Sequence, residues 1–215
     1  MNKLMISAAG LMLFGASSMA SAEVGVGVKV STLGAGIEVG VPLSDRFVVR
    51  GALNQYSRDD SQSIDGIDYD ADLDLKSTAL FFDWHPMKGP FHLTAGYLFT
   101  NSELNGTATP TGTFDVGGTT YDGSMIDVTL HAGVDLGSGP YLGLGWGNLP
   151  AKGLGFTFEV GAVQQGSPDV SLTASGADSG AISQSDLDQE ERNMQDDLDK
   201  FKLYPVVSLG LSYGF

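Results

Sequence analysis

The stretch Lys202-Leu-Tyr-Pro-Val-Val-Ser-Leu-Gly-Leu-Ser-Tyr-Gly-Phe215 decides the fold. From Phe201 onward, large apolar side chains stand at Phe201, Leu203, Val207, Leu209, Leu211, Tyr213 and Phe215. Small or polar ones stand between them at Lys202, Ser208, Gly210, Ser212 and Gly214. A period of two puts alternate side chains on opposite faces of a strand. The segment is therefore a strand with one apolar face, either the last stave of a membrane barrel or the last strand of a soluble sandwich.

The first residues favour the barrel. Lys3, the apolar run Leu4 to Phe14 and the small residues Ala20-Ser21-Ala22 have the order of a secretory leader, so residues 1–22 are expected to be a signal peptide. That run is too short to cross a bilayer as a helix, which takes roughly 20 residues, and no later segment is long enough. A chain that spans lipid without such a helix must close its strands into a barrel, because unpaired backbone groups are not tolerated there. A strand ending on an aromatic resembles the bacterial outer-membrane barrels, in which the last residue belongs to the signal read by the insertion machinery. Residues 23–215 are thus expected to form one all-β domain, an eight-stranded antiparallel transmembrane β-barrel in the outer membrane.

Composition agrees. There are no cysteines, which excludes disulfides, thiolate metal sites and Cys nucleophiles. The 30 glycines often alternate with apolar residues, and Gly on an inner wall makes room for larger side chains in a narrow lumen. Mean hydropathy is +0.03, as expected when inward and outward faces cancel. Net charge is −15, and loss of Lys3 with the leader makes it −16. That argues against a nucleic-acid partner and against adhesion to an anionic surface.

Alternation upstream gives the remaining strands. The first covers Val24 to Val30. The second, Gly36 to Val41, turns Ile37, Val39 and Val41 outward and Glu38 inward. The third, Arg46 to Tyr56, turns Phe47, Val49 and Leu53 outward and Arg50 inward. After an acidic loop from Ser57 to about Asp68, the fourth runs to Trp84. It is read with Leu73, Leu75, Ala79 and Phe81 outward and Asp74, Lys76 and Thr78 inward. The fifth puts Phe91, Leu93, Ala95, Tyr97 and Phe99 outward and His92, Thr94 and Gly96 inward. A Gly/Thr-rich loop starts near Asn105. The sixth is one long or bulged strand with a Gly/Ser/Pro break, and Leu142, Leu144 and Trp146 face outward. The seventh turns Phe156, Phe158, Val160 and Ala162 outward and Thr157, Glu159 and Gly161 inward, and continues through Val170 and Leu172.

The loop from Thr173 to Lys200 has helical spacing in its second half. Leu187, Met194, Leu198 and Phe201 share one face among many carboxylates, and Ser183 or Ser185 can cap the start. This is a short acidic helix before the last strand. Turns near Pro42, Pro86 and Pro150 are expected on the periplasmic side. Long extracellular loops are expected near Asp65, Pro110 and Asp188. The link Thr32 to Gly34 belongs outside although it is short.

Trp84, Phe91, Trp146, Phe156, Tyr213 and Phe215 fall at strand ends, where an aromatic girdle meets the membrane interface. Five inward charges form the candidate lumen set: Lys29, Glu38, Arg50, Lys76 and Glu159. Glu38 and Arg50 lie on adjacent strands and can pair. Asp74, His92 and Lys202 lie near the ends. Such charges either close a polar network or mark cation-selective stations. The alternating carboxylates from Asp65 to Asp74 fail the EF-hand pattern, since Leu73 stands where its glycine belongs, and are expected to be a solvated acidic face. No metal, cofactor or catalytic residue is expected: His85, His92 and His131 lack an evident nucleophile, and no G-x-S-x-G elbow occurs.

Three segments carry a resemblance to a family. Pro140-Tyr-Leu-Gly-Leu-Gly-Trp146, Gly155-Phe-Thr-Phe-Glu-Val-Gly-Ala162 and Gly166-Ser-Pro-Asp-Val-Ser-Leu172 resemble the later strands of CarO-type outer-membrane proteins. The acidic helix followed by Tyr204 to Tyr213 resembles the end of the same group. The resemblance implies a small outer-membrane barrel of a Gram-negative bacterium, linked to uptake of basic amino acids such as ornithine and to carbapenem entry. The function expected is slow, cation-favouring passage of small solutes through a monomer held in outer-membrane lipid, with small cationic solutes as partners. The alternative is a closed structural or surface-interaction barrel that acts through its extracellular loops.

Overall fold

The computed structural model describes residues 24–64, 67–147, 152–200 and 202–215. The expected leader, the turn around Pro150 and Phe201 lie outside the described residues. The elements are β1 (Gly25–Ser31), β2 (Gly34–Ser44), β3 (Phe47–Ile64), β4 (Ile67–Trp84), β5 (Phe91–Thr100), β6 (Ser102–Pro110), β7 (Thr113–Val116), β8 (Thr119–Asp122), β9 (Thr129–Leu136), β10 (Gly139–Gly147), β11 (Gly153–Gln164), β12 (Asp169–Ser175), the helix α1 (Gln184–Leu198) and β13 (Leu203–Gly214). The protein is predominantly β, and no described helix is long and apolar enough to cross a membrane.

Antiparallel pairing runs β4-β3-β2-β1-β13-β11-β10-β5, and a β4–β5 pairing closes this path on itself. The first and last strands seal the wall, from Gly25 opposite Gly214 to Ser31 opposite Ser208. Closure leaves no free edge in the ring. Along each staved segment exposure alternates with period two. On β13 the exposed residues are Leu203, Val207, Leu209, Leu211 and Tyr213, while Val206, Gly210, Ser212 and Gly214 are buried. Val28, Ile37, Leu80, Leu93, Leu142, Phe158 and Leu209 stand exposed around the outside. This apolar belt far exceeds the few hundred Å² that soluble monomers leave bare.

Thirteen strands are described where eight were expected. The surplus arises because staves break or continue beyond the ring. Within the stretch expected as a loop, residues 57–64 and 67–68 are strand: β3 and β4 stay paired from Phe47–Trp84 to Ile64–Ile67. The Gly/Thr-rich loop after Asn105 contains β6 and the separate β7–β8 hairpin. β6 pairs with the upper half of β4, β9 with β6, and β12 with β9. The same sheet therefore continues from one side of the ring as a rising extension of β3, β4, β6, β9 and β12.

Strand β4 corrects the sequence reading in phase. Leu75, Ser77, Ala79, Phe81 and Asp83 are buried, and Lys76, Thr78, Leu80, Phe82 and Trp84 are exposed. Two features account for this. Ala79, Phe81 and Leu98 join the ring's inner core, and the even-numbered side chains Leu80, Phe82 and Trp84 supply the outer apolar face.

Candidate functional site

Inside the ring, toward its turn end, ionisable side chains from six strands meet. Arg50 of β3 is their centre. Its Nε and Nη2 donate to Asp83 Oδ2 and Oδ1 of β4 at 2.5 and 2.9 Å. Nη1 donates to Glu38 Oε2 of β2 at 3.2 Å, and Nη2 donates also to Glu159 Oε2 of β11 at 2.5 Å. The planar guanidinium thus serves three carboxylates at once, a geometry for which its fixed fork of donors is suited. Lys29 Nζ stands 3.9 Å from Glu38 Oε2, and Lys29 and Arg50 both lie 5.2 Å from the Phe81 ring centre, within cation–π range.

Two of the three carboxylates have further partners. Tyr141 donates its hydroxyl to Glu159 Oε1 at 2.6 Å. Thr94 donates to Asp83 Oδ1 at 2.8 Å. His92 Nδ1 faces the carbonyl oxygens of Gly147 and Pro90 at 3.1 and 3.2 Å, and Nε2 faces Glu159 Oε2 at 3.2 Å. Carbonyl oxygens only accept, so Nδ1 carries a proton, and a proton on Nε2 completes the bond to Glu159. Lys29, Arg50 and an imidazolium at His92 would then balance Glu38, Asp83 and Glu159. Asp83, His92 and Glu159 present ligand atoms within 4.8 Å of one another, the spacing of a metal site. The Arg50 guanidinium lies between Asp83 and Glu159 and takes the central position.

Glycines make the space. A Cβ at Gly145 would overlap the His92 ring, and one at Gly143 or Gly161 would overlap the Tyr141 phenol. Above the charged layer the ring is packed by Leu33, Ala52, Ala79, Phe81, Leu98, Tyr141, Val163 and Val206. A cavity over this layer, lined by Leu33, Leu98, Val163 and Tyr204 among others, holds only about 10 Å³, near the least that admits one water.

Of the five lumen candidates, Lys29, Glu38, Arg50 and Glu159 are buried together. Lys76 is not. It is on the outer face of β4 and pairs with Asp74 at 2.5 Å, both side chains about half exposed. The reversed phase of β4 is the reason, and it brings in Asp83 instead. Thr94 and Tyr141 also belong to the cluster beyond the candidate set. The aromatics Trp84, Trp146, Phe156, Tyr213 and Phe215 are exposed and Phe91 is half-buried. Phe91 meets Trp146, and Tyr213 meets Phe215. His131 Nε2 contacts Ser175 Oγ at 2.7 Å on an exposed face, a pair invisible in the sequence.

A second functional candidate is the sheet beyond the ring with its covering elements. The β7–β8 hairpin turns at Gly117-Gly118, whose φ values of 60 and 84° suit the tight two-residue turn. Ser183 caps α1 by accepting from Asp186 N. Phe114, Val116, Val128, Leu172, Ile182 and Leu187 form a core of their own between the hairpin, the helix and β12. Leu187 is buried in this core and Met194 and Leu198 are half-buried, with α1 lying against β12 and β7. Tyr121 donates to Asp186 Oδ2 at 2.5 Å, which holds the Asp186 carboxyl below its ordinary range and raises the Tyr121 phenol. Glu191 Oε2 and Gln195 Oε1 accept from the backbone N–H groups of Leu172 and Val170 at 3.1 and 3.2 Å. The open edge of β12 is thereby covered. Asp68, Asp70 and Asp72 remain exposed on β4.

No family model matches the sequence, and no curated protein matches it. Solved structures do. CarO2 of Acinetobacter baumannii is similar with a TM-score of 0.62 at 25% identity, over 90% of this chain and 99% of that one. CarO of the same organism is similar with a TM-score of 0.60 at 21% identity, over 89% of this chain and 97% of that one. The resemblance read between Pro140 and Phe215 therefore extends over nearly the whole chain, and the fold is that of the CarO-type outer-membrane β-barrels.

Proposed function

We propose that this protein is a monomeric, non-catalytic barrel of the bacterial outer membrane, with eight membrane-spanning staves and a closed lumen, acting through the sheet-and-helix unit outside. The observation that carries this reading is Arg50, fixed among Glu38, Asp83 and Glu159 beneath a packed apolar layer. A solute crossing the lumen has to break a buried ion network, and leaving a buried charge unpaired costs about 3–5 kcal/mol. The belt of exposed Leu, Val and Phe faces lipid, and the aromatics at the turn end lie at the periplasmic interface. Delivery by the barrel-insertion machinery follows from the same reading.

The other reading is cation-favouring passage of small solutes such as basic amino acids. It is favoured by the lumen carboxylates Glu38 and Glu159, and it requires a cationic solute to replace Arg50 or Lys29 as their partner. Flux of labelled ornithine and glutamate into liposomes carrying the refolded protein separates the two. The expected result is no entry of either above the leak of empty vesicles. Ornithine entry that falls in Glu159→Gln would overturn the closed-lumen reading.

A further inference from the structure

A cavity of about 390 Å³ lies in the outer unit, away from the lumen cluster. That is within the size range of small-molecule sites. Its floor follows from strand register. Ala71, Gly106 and Ala132 stand opposite one another on β4, β6 and β9, and the next row places Ala108 between Tyr69 and Leu130. Small residues at the centre of an otherwise apolar face leave a hollow. A Cβ added at Gly106 would meet nothing closer than the Asp70 carbonyl at 3.9 Å. Phe114 and Val116 of the hairpin and Met194 of α1 complete the lining.

The charged side chain at the rim of this lining is negative, Glu190, and the lining has no Lys, Arg or His; Asp70 and Asp115 alternate with the apolar lining residues and turn their carboxylates to the other face. Glu190 is held in place, since its Oε2 accepts from Gly117 N at 3.1 Å. An apolar hollow edged by a held carboxylate attracts a positive head on an apolar body and repels the matching acid.

We infer that the outer unit binds a small amphipathic cation, an amine with an aromatic or aliphatic body. The body fills the hollow over Gly106, Ala108 and Ala132, and the ammonium head lies against Glu190. The inference rests on the proposed function only for the side from which the ligand arrives.

The test uses the full chain in lipid nanodiscs and ligand-observed NMR, with empty nanodiscs as the blank. The probes are 4-phenylbutylammonium, its acid counterpart 4-phenylbutyrate, and butylammonium. The first is expected to bind at least about tenfold more tightly than either of the others. Ala132→Phe fills the hollow and is expected to weaken binding at least about tenfold. Glu190→Gln keeps an acceptor for Gly117 N and removes only charge, so it is expected to shrink the preference for amine over acid. Absence of amine binding, equal binding of acid and amine, or a preference unchanged in Glu190→Gln overturns the inference. Should Ala132→Phe fail to fold, Glu190→Gln decides alone. Flux on the same preparation keeps the two readings apart. Flux together with selective binding overturns only the closed lumen, and absence of both overturns only the binding site.

Discussion

Arg50 links β3 to carboxylates on β2, β4 and β11, so its removal strands three buried acids at once. Breaking a buried ion pair costs about 3–5 kcal/mol. Arg50→Ala is therefore expected to lose at least that much stability, read as a lowered urea midpoint for the heat-modifiable band in gel electrophoresis. Arg50→Lys keeps the charge but not the fork, and is expected to fall between the two. An unshifted midpoint in Arg50→Ala would show that the network contributes nothing. Most of this cluster was legible in the sequence. Glu38 and Arg50 alternate cleanly with large apolar neighbours on adjacent strands, and Glu159 does the same between Phe158 and Val160. Asp83 was hidden because Leu73, Leu75 and Phe81 outweigh their neighbours when β4 is read alone. Trp84 held the correcting signal: its place in the outer girdle requires Phe82 and Leu80 to face outward too. A lumen walled by glycine then has room for the Phe81 and Tyr141 rings, which no period in hydrophobicity announces.

At the scale of elements, α1 is held to the sheet by its polar side chains as much as by Leu187. Because Asp186 has a lowered pKa in the folded unit, its contribution is complete above the ordinary carboxylate value of about 3.9. It is lost as pH falls through the lower folded value. Amide-exchange protection of α1 is expected to hold at pH 6 and drop below about pH 4. Asp186→Asn should have weaker protection at pH 6 and a smaller acid step; an identical acid profile would assign the step elsewhere. The pair Glu191 and Gln195 fits β12 by simple geometry. Four helical residues advance about 6 Å, close to the roughly 6.6 Å between alternate strand residues. Replacing both by Ala is expected to bare the β12 edge and cause concentration-dependent association, seen by sedimentation. Unchanged monomers would show that the edge is protected otherwise. The helix itself was legible from its spacing and Ser183 cap. Its seat was not, because β7–β8 is short and sits in a Gly/Thr-rich stretch. The upper half of β3 was missed because Ser57 to Ser63 are polar throughout and show no alternation.

For the whole molecule, the apolar belt decides where it can live. Leu209 on β13 stands opposite Phe158 within that belt. Leu209→Arg is expected to cost about 2–4 kcal/mol if the site lies at the bilayer midplane, measured by equilibrium refolding into lipid vesicles. A cost near zero would place Leu209 at an interface instead. The ring's general form was legible from alternation alone, while the rising sheet was not, because staves that break at Asn101 and Gly137 look like ends. That sheet also gives the molecule a front and a back. On one side the wall ends at the tight Ser31–Gly34 turn. On the other, β3 and β4 continue from the last β2 pair at Gln55 to Ile64, a parapet of about 30 Å at 3.3 Å per residue. A molecule moving in the plane of the membrane can pass over the low wall and is stopped by the high one. Whatever meets this protein at the surface is therefore met from a fixed compass direction, set by strand length before any side chain is touched.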